Sequence, residues 1–495
     1  MNIALLLQMT TDTQGDRIGL VCDGREWSYS SLLSAAHGAA DLVNEYGCEY
    51  VTLLDESSEA AFIGLFAAAL AGVPYVPLNY RLADEDLGAL LDRVENSLVI
   101  GDIGRTKRIS THKQSLLLAR TEFVNEAVLR GSNKQVEDSE AEVAAQIFTS
   151  GTTAAPKAAL LKHSNLLGYI LGSVEFMSAD EQDAILVCVP PYHIAGISAL
   201  LSSCFAMRRI VMLPAFDPKT WLDLVAQENV SNAFVVPTML SRIIEAIESG
   251  HSYNLSSLRA LAYGGGKMPL ELIKKALVLF PSVNFTNAYG LTETSSTVAL
   301  LSPGDHRAAI SSEDPKVSAR LASVGKALPS VEIEIRDDEG NKLPPGERGE
   351  IYIRGEQVSG TYKEKSSLTA DGWFPTRDAG YMDVEGYLFL DGRADDVIVR
   401  GGENLSPGEI EDVLLTHDAI ADAAVVAIPS AEWGEAPAAA IVIKAGAEEP
   451  SVEDVCAFVK QRLRSSRVPE QVIMVSELPY NDMGKLLRRV VKTYF

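Results

Sequence analysis

Short apolar runs alternate with amphipathic stretches along most of the 495 residues. Residues 184–189 and 233–236 are almost uninterruptedly apolar and of strand length, the pattern of a strand covered on both faces. Segment 143–148 reads the same way. Between such runs, residues 240–248 and Leu270–Leu279 repeat apolar side chains at helical spacing, which predicts amphipathic helices. Strands alternating with helices predict α/β layers built on largely parallel sheets.

One region departs from this rhythm. Val331–Arg336, 349–354 and 387–390 are strand-like, and the polar turn stretches DDEGNKLPPGERG and DVEG break them up. They predict an antiparallel, barrel-like β section. Directly afterwards, GRADDVIVRGGENLSPGEIEDVL compresses a charged turn, a short strand, a double glycine and a helix start into 23 residues. A domain boundary is expected here. The predicted class is multidomain α/β, with a large N-terminal domain over residues 1–394 and a small α+β C-terminal domain over 395–495. No repeat and no low-complexity tract interrupts this plan.

Charge narrows the function classes. With 43 basic against 67 acidic residues the net charge is −24, which argues against a general nucleic-acid surface. From 460 to 495 the balance reverses, to eight basic and three acidic residues. Such a segment suits either a solvated helix face or an anionic ligand. Five scattered cysteines without a CxxC pair fit neither a disulfide framework nor a zinc site. The opening MNIALLLQMTTD lacks the basic region of a signal peptide, and no apolar stretch reaches membrane-spanning length. A cytoplasmic protein is expected.

Four stretches carry candidate chemistry. FTSGTTAAPK (148–157) follows an apolar strand with small hydroxyls and glycine and closes on Lys157. Backbone N–H groups and hydroxyls in such a loop can wrap a polyphosphate, whose charge the lysine offsets. It is not a Walker loop, and alone it reads as an ordinary turn. In NAYGLTETSS (287–296), Glu293 is a lone carboxylate among hydroxyls, suited to Mg²⁺ or simply to a helix start. Asp378 of WFPTRD and Arg393 of GRADD can accept and donate hydrogen bonds on the two sides of a ribose. In PYNDMGKLLR (479–488), Lys485 stands after a glycine turn as a point charge for a carboxylate and an α-phosphate.

In this order and at these separations, the four stretches resemble the core motifs of the adenylate-forming superfamily, on its acyl- and aryl-CoA synthetase branch. GREWSYSSL, ALAGVPYVPLNYRL, PPYHIAG, AYGGGKMP and GGENLSPGEIE extend the resemblance over nearly the whole chain. It implies an AMP-forming acid–thiol ligase using ATP, Mg²⁺ and coenzyme A, with a mobile C-terminal domain that rotates between two half-reactions. The resemblance assigns Thr149, Ser150, Gly151, Thr152, Thr153 and Lys157 to the ATP phosphates. Gly264, Gly265 and Gly266, with Asn287, Ala288 and Tyr289, would frame the adenine. Thr292 would touch the α-phosphate, Glu293 would bind Mg²⁺, and Asp378 and Arg393 would hold the ribose. Lys485 would serve adenylation, Asp395 the hinge, Gly401 and Gly402 the pantetheine tunnel, and Trp433 the thiol donor.

Two alanines, Ala154 and Ala158, replace glycines usual in the family's phosphate loop. If either position needs a positive φ, the loop is strained and activity weak, which leaves a non-catalytic nucleotide- or acyl-binding relative as the alternative. The acid pocket is expected from His193, Ile194, Ala195, Gly264, Gly265, Ala288, Gly290, Ser295 and Ser296. Ile194 stands where amino-acid-activating relatives carry an aspartate, so an α-ammonium would lack its partner. A fatty, acyl or aryl acid is expected, with His193 resembling the aromatic gate of such ligases. Coenzyme A is the expected acceptor and a carrier-protein phosphopantetheine the alternative.

Overall fold

The structure, a computed structural model, describes residues 1–109, 116–137, 141–149, 156–250, 253–401, 403–481 and 486–495. Two sheets dominate the first three-quarters of the chain. The larger has nine strands, in the order Lys326–Ala327, Ser296–Leu301, Asn284–Leu291, Ala260–Gly264, Asn232–Val235, Ala184–Val187, Arg209–Met212, Ile18–Cys22 and Arg25–Ser28. Its six central strands are parallel, and antiparallel strands close both edges. The second has six strands: Leu116–Ala119, Ser97–Gly101, Tyr50–Leu54, Tyr75–Pro77, Val143–Thr149 and Lys157–Lys162. All its pairings are parallel except the last, a hairpin.

Helix Glu59–Ala71 (EAAFIGLFAAALA) shows why the layers stack. It has almost no polar face, so it must be covered all round, and ten of its residues from Ala60 to Ala69 are buried. It shares one core with helix Tyr29–Glu45 and with side chains of both sheets, among them Val51, Ile100, Ile147, Leu20 and Ile210. The helix expected over 240–248 starts earlier, at Pro237, because proline is preorganised for the first helical position. Helix Leu270–Leu279 has the expected bounds.

The antiparallel section is a four-strand meander of Val331–Arg336, Gly349–Gly355, Phe374–Met382 and Leu388–Arg393, in chain order. Its inner face, including Ile335, Ile351, Ile353 and Leu388, packs on Tyr289 and Val298 of the large sheet. The last strand runs three residues past the expected end, because polar Asp391–Arg393 continues the pairing and sets Arg393 opposite Asp378. A short turn, Ala394–Asp396, follows it.

Beyond that turn, strands Glu403–Leu405, Ile398–Arg400, Gly434–Ile443 and Ile420–Ser430 form a separate sheet, with Gln471–Met474 added parallel to Gly434–Ile443. Helices Pro407–Leu415 and Val452–Lys460 supply Ile410, Leu414, Val455 and Val459 to its core. This unit touches the large one through Lys267, whose Nζ donates to the Gly408 carbonyl (3.0 Å) and Asp412 Oδ2 (2.8 Å). Ser406 Oγ adds a bond to the Asp391 carbonyl (2.9 Å). Among the described residues, no helix is long and apolar enough to cross a membrane.

Candidate active site

Strands of both sheets end at one cavity of about 790 Å³, in keeping with the tendency of open α/β sheets to bind ligands at the carboxyl ends of their strands. The hairpin contributes Phe148, Thr149 and Lys157, the large sheet Phe234, Gly265, Ala288 and Gly290, and the meander Thr376, Arg377 and Arg393. Asn481, from the C-terminal unit, completes the wall.

Thr149 and Lys157 face each other at the mouth of the hairpin, where Thr149 Oγ1 donates to the Lys157 carbonyl (3.4 Å). Ser150, Gly151, Thr152 and Thr153, expected between them, lie outside the described residues, as does Ala154. Ala158 is described, and the strain expected of it is absent. It is a buried residue within the strand Lys157–Lys162, paired with Phe148, and is not among the residues with positive φ.

Glu293 sits in the turn Thr292–Thr294 after strand Asn284–Leu291. Its carbonyl accepts from the N–H groups of Ser359 (2.9 Å) and Gly360 (3.2 Å), and its Oε1 accepts from the Tyr362 hydroxyl (2.5 Å). Burial, then the adjacent carboxylate, pushes the Tyr362 phenol well above its ordinary range, so it remains a donor at neutral pH. Lys157 Nζ lies 5.6 Å from the centre of the same ring. The buried Gln357 side chain fixes the turn from below, donating to the carbonyls of Thr294 (3.0 Å) and Thr297 (2.7 Å).

Asp378 is held from both sides. Arg393 donates to its Oδ1 (2.9 Å) and to the Thr376 carbonyl (3.2 Å), and the Tyr289 hydroxyl donates to its Oδ2 (2.7 Å). Burial and then Asp378 raise the Tyr289 phenol, so it too stays protonated. Burial works against the charge on Arg393, but Asp378 outweighs it and keeps the guanidinium above its usual range. Each carboxylate oxygen retains capacity for a further donor.

The remaining wall is tight. A Cβ on Gly290 would fall 1.8 Å from the Ser296 carbonyl oxygen, and one on Gly264 would fall 2.3 Å from that of Ala288, so neither position admits a side chain. Ser295 (φ 56°), Ser296 (φ 126°) and Arg377 (φ 64°) hold left-handed backbone conformations without being glycine. Such strain, of order 1–3 kcal/mol per residue, concentrates at functional sites.

Of the residues expected here, Thr149, Lys157, His193, Ile194, Ala195, Gly265, Ala288, Gly290, Thr292, Glu293, Ser296 and Arg393 line the cavity. Gly264, Asn287, Tyr289, Ser295 and Asp378 are buried just behind its wall, where Asn287 Nδ2 donates to the Ser323 carbonyl (3.1 Å). Gly266 follows the lining residue Gly265. Gly401 and Trp433 are not brought to the cavity. They pack on each other in the C-terminal unit, with Gly401 N–H donating to the Trp433 carbonyl (2.8 Å). Gly402 and Lys485 lie outside the described residues, and of Asp395 only the backbone is described, within the turn Ala394–Asp396.

Sequence reading missed two residues that organise this site. Tyr362 reaches Glu293 because segment 359–363 is stitched to the hairpin through the Ala159–Tyr362 bridge, a pairing no local pattern announces. Arg93 lies with its guanidinium 4.8 Å from the centre of the Phe148 ring, donates to the Pro156 carbonyl (2.6 Å) and pairs with Glu364.

Residues 7–363 match the family described as AMP-binding enzyme, and residues 409–485 its C-terminal domain. A 2-succinylbenzoate–CoA ligase of Bacillus cereus (strain AH820) is 32% identical over 86% of this chain and 84% of its own length. The fatty acid–[acyl-carrier-protein] ligase ScoC of Streptomyces coeruleorubidus is 29% identical over 96% of this chain and 93% of its own. ATP-bound MatB from Rhodopseudomonas palustris has a similar structure, with a TM-score of 0.87, 26% identity, and coverage of 100% of this chain and 99% of that one.

Proposed function

This chain belongs to the AMP-binding enzyme family and is an AMP-forming acid–thiol ligase of the acyl-CoA synthetase type, and on that premise we propose how its own residues do the work and on what acid. A non-amino-acid carboxylic acid, acyl or aryl, enters beside His193–Ala195. One carboxylate oxygen attacks the α-phosphorus of ATP, the bond to the β-phosphate oxygen breaks, and pyrophosphate leaves. The acyl adenylate then loses AMP to a thiolate, which attacks the carbonyl carbon and forms the thioester, the thiol proton passing to solvent.

The observation that supports this reading best is convergence. The hairpin mouth with Lys157, the Glu293 turn, the Asp378–Arg393 pair and Asn481 of the C-terminal unit all meet at one cavity. Repulsion between a carboxylate and a polyphosphate makes charge neutralisation and positioning the main requirements of the step. Lys157, with the loop 150–153, would hold the β- and γ-phosphates. Thr292 would bind the α-phosphate, Arg393 and Asp378 the ribose hydroxyls, and Lys485 the transferring oxygens. Ile194 gives an α-ammonium group no carboxylate partner, which disfavours amino acids.

A single carboxylate beside a hydroxyl, Glu293 with Thr292, fits Mg²⁺, an ion that takes one or two carboxylates together with substrate phosphate oxygens and water. When bound, it would offset phosphate charge. Residues 1–394 and 395–495 would be the two domains, with the turn at Asp395 as hinge, and Gly401, Gly402 and Trp433 would reach the thiol donor only after rotation.

Coenzyme A is the proposed acceptor. The likeness to a ligase named for an acyl carrier protein favours a second reading, a carrier phosphopantetheine thiol. A carboxylate panel with ATP, run with coenzyme A or with a phosphopantetheinylated carrier and read by mass spectrometry, tests both. A free acyl-CoA supports the first reading, and acylation of the carrier alone supports the second. No thioester with either acceptor would remove both.

A further inference from the structure

We propose that the acid taken by this site is a monocarboxylate whose remainder carries no charge, an inference that rests on the ligase reading above. The cavity separates charge from neutral wall. Among the described lining residues, the Lys, Arg, Asp and Glu side chains are Lys157, Glu293, Lys365, Arg377 and Arg393. All come from the hairpin, the Glu293 turn and segment 362–393, the elements that also carry the residues proposed for the nucleotide.

The wall left for the acid is built differently. His193, Ile194 and Ala195 enter from the start of helix Ile194–Ala206, and Phe234, Ala288 and Ser296 from the large sheet. The Phe234 ring lies over the backbone of Gly264, 3.6 Å from where a Cβ would stand. Ser296 Oγ is already hydrogen-bonded to Ser198 Oγ (3.1 Å). Methylene or ring carbons gain by burial against such a surface. Adenylation consumes the charge of only one carboxylate, since its oxygen becomes bonded to phosphorus. A second carboxylate would keep its charge throughout and lie buried against a wall with no Lys or Arg among its described residues.

The inference sets this chain apart from relatives named for 2-succinylbenzoate, which carries two carboxylates. Its test uses the full chain with ATP and Mg²⁺ at about pH 8. Pyrophosphate release is compared within matched pairs: hexanoate and adipate, benzoate and phthalate, 4-oxo-4-phenylbutanoate and 2-succinylbenzoate. In every pair that reacts, kcat/KM is expected to favour the monocarboxylate by about 100-fold or more. Equal rates, or preference for the dicarboxylate, would overturn the inference while leaving the ligase reading intact. Silence of all six acids would instead remove the ligase reading and the inference with it. Phe234→Arg should narrow the gap about tenfold by supplying a cation. A folded, ATP-binding variant with an unchanged gap would show that this wall does not receive the acid's remainder.

Discussion

Tyr362 shows how a single side chain can organise the chemistry without appearing in any motif. Its hydroxyl holds Glu293 by a 2.5 Å bond, and its ring faces Lys157. A hydrogen bond to a charged group is worth about 1.5–3 kcal/mol. Tyr362→Phe keeps the ring and removes that bond, so kcat for acid-dependent pyrophosphate release should fall about 10- to 100-fold. Steady-state kinetics check this, and unchanged kcat would mean that Glu293 needs no such support. Ala158 illustrates the opposite case, a position that looks anomalous in sequence and is ordinary in structure. Its glycine counterpart suggested a positive φ, but residue 158 is extended strand, where glycine is about 0.5–1 kcal/mol less stable than alanine. Ala158→Gly should therefore lower Tm in a thermal melt and bring no gain in pyrophosphate release. A gain would restore the idea of a strained loop.

At the scale of elements, the basic tail shows where charge counting stops being informative. Among its described residues, Arg467 and Arg488 are committed to carboxylates within the C-terminal unit. Arg467 pairs with Glu403 and Glu409, and Arg488 reaches Glu411, Asp396 and the Val425 carbonyl. Sequence shows the excess of charge, but the partners come from segments 58–92 residues away. Glu411, on helix Pro407–Leu415, is buried and also accepts from Val425 N–H (2.7 Å). Burial raises its pKa, yet Arg488 outweighs burial and holds the carboxyl below the usual glutamate range. A carboxyl depressed in the folded state contributes stability above its unfolded pKa, and that contribution is lost as pH falls through the folded value. Glu411→Gln should thus cost about 3 kcal/mol at pH 7, because it strips a buried guanidinium of the carboxylate that pairs with both its terminal nitrogens. The difference from wild type should shrink only below about pH 4.5, as measured by denaturant melts across pH. A pH-independent difference would contradict the pairing. Strands and helices of the two large sheets were legible because their burial writes itself into periodicity. The polar end of Leu388–Arg393 was not, because cross-strand pairing rather than hydrophobic pattern extends it.

On the proposed reading, the arrangement of the two units suits the first half-reaction. Asn481 lies at the cavity, while Gly401 and Trp433 pack together away from it. Lys267 ties the two units through Gly408 and Asp412, and on the proposed rotation that tie must break. Both partners are about half exposed, so the pair is worth only some 0.2–1 kcal/mol. Lys267→Ala should slow adenylation about two- to fivefold in stopped-flow measurement, and leave thioester formation from preformed acyl adenylate undiminished. Equal loss in both steps would mean that the tie serves stability alone. Most residues that the sequence names for the site line one cavity or lie just behind it, since they sit in contiguous motifs. The Arg93 and Tyr362 supports and the Lys267 tie join segments more than 50 residues apart, and only the fold brings them together.

Acid-dependent exchange of labelled pyrophosphate into ATP reports whether this cavity joins a carboxylate to ATP and whether Lys485 serves that step. Wild-type protein should catalyse the exchange only when a reactive acid is present. Lys485→Ala should abolish it while still forming thioester from preformed acyl adenylate. Exchange that persists in Lys485→Ala, or that never depends on an acid, would contradict the account.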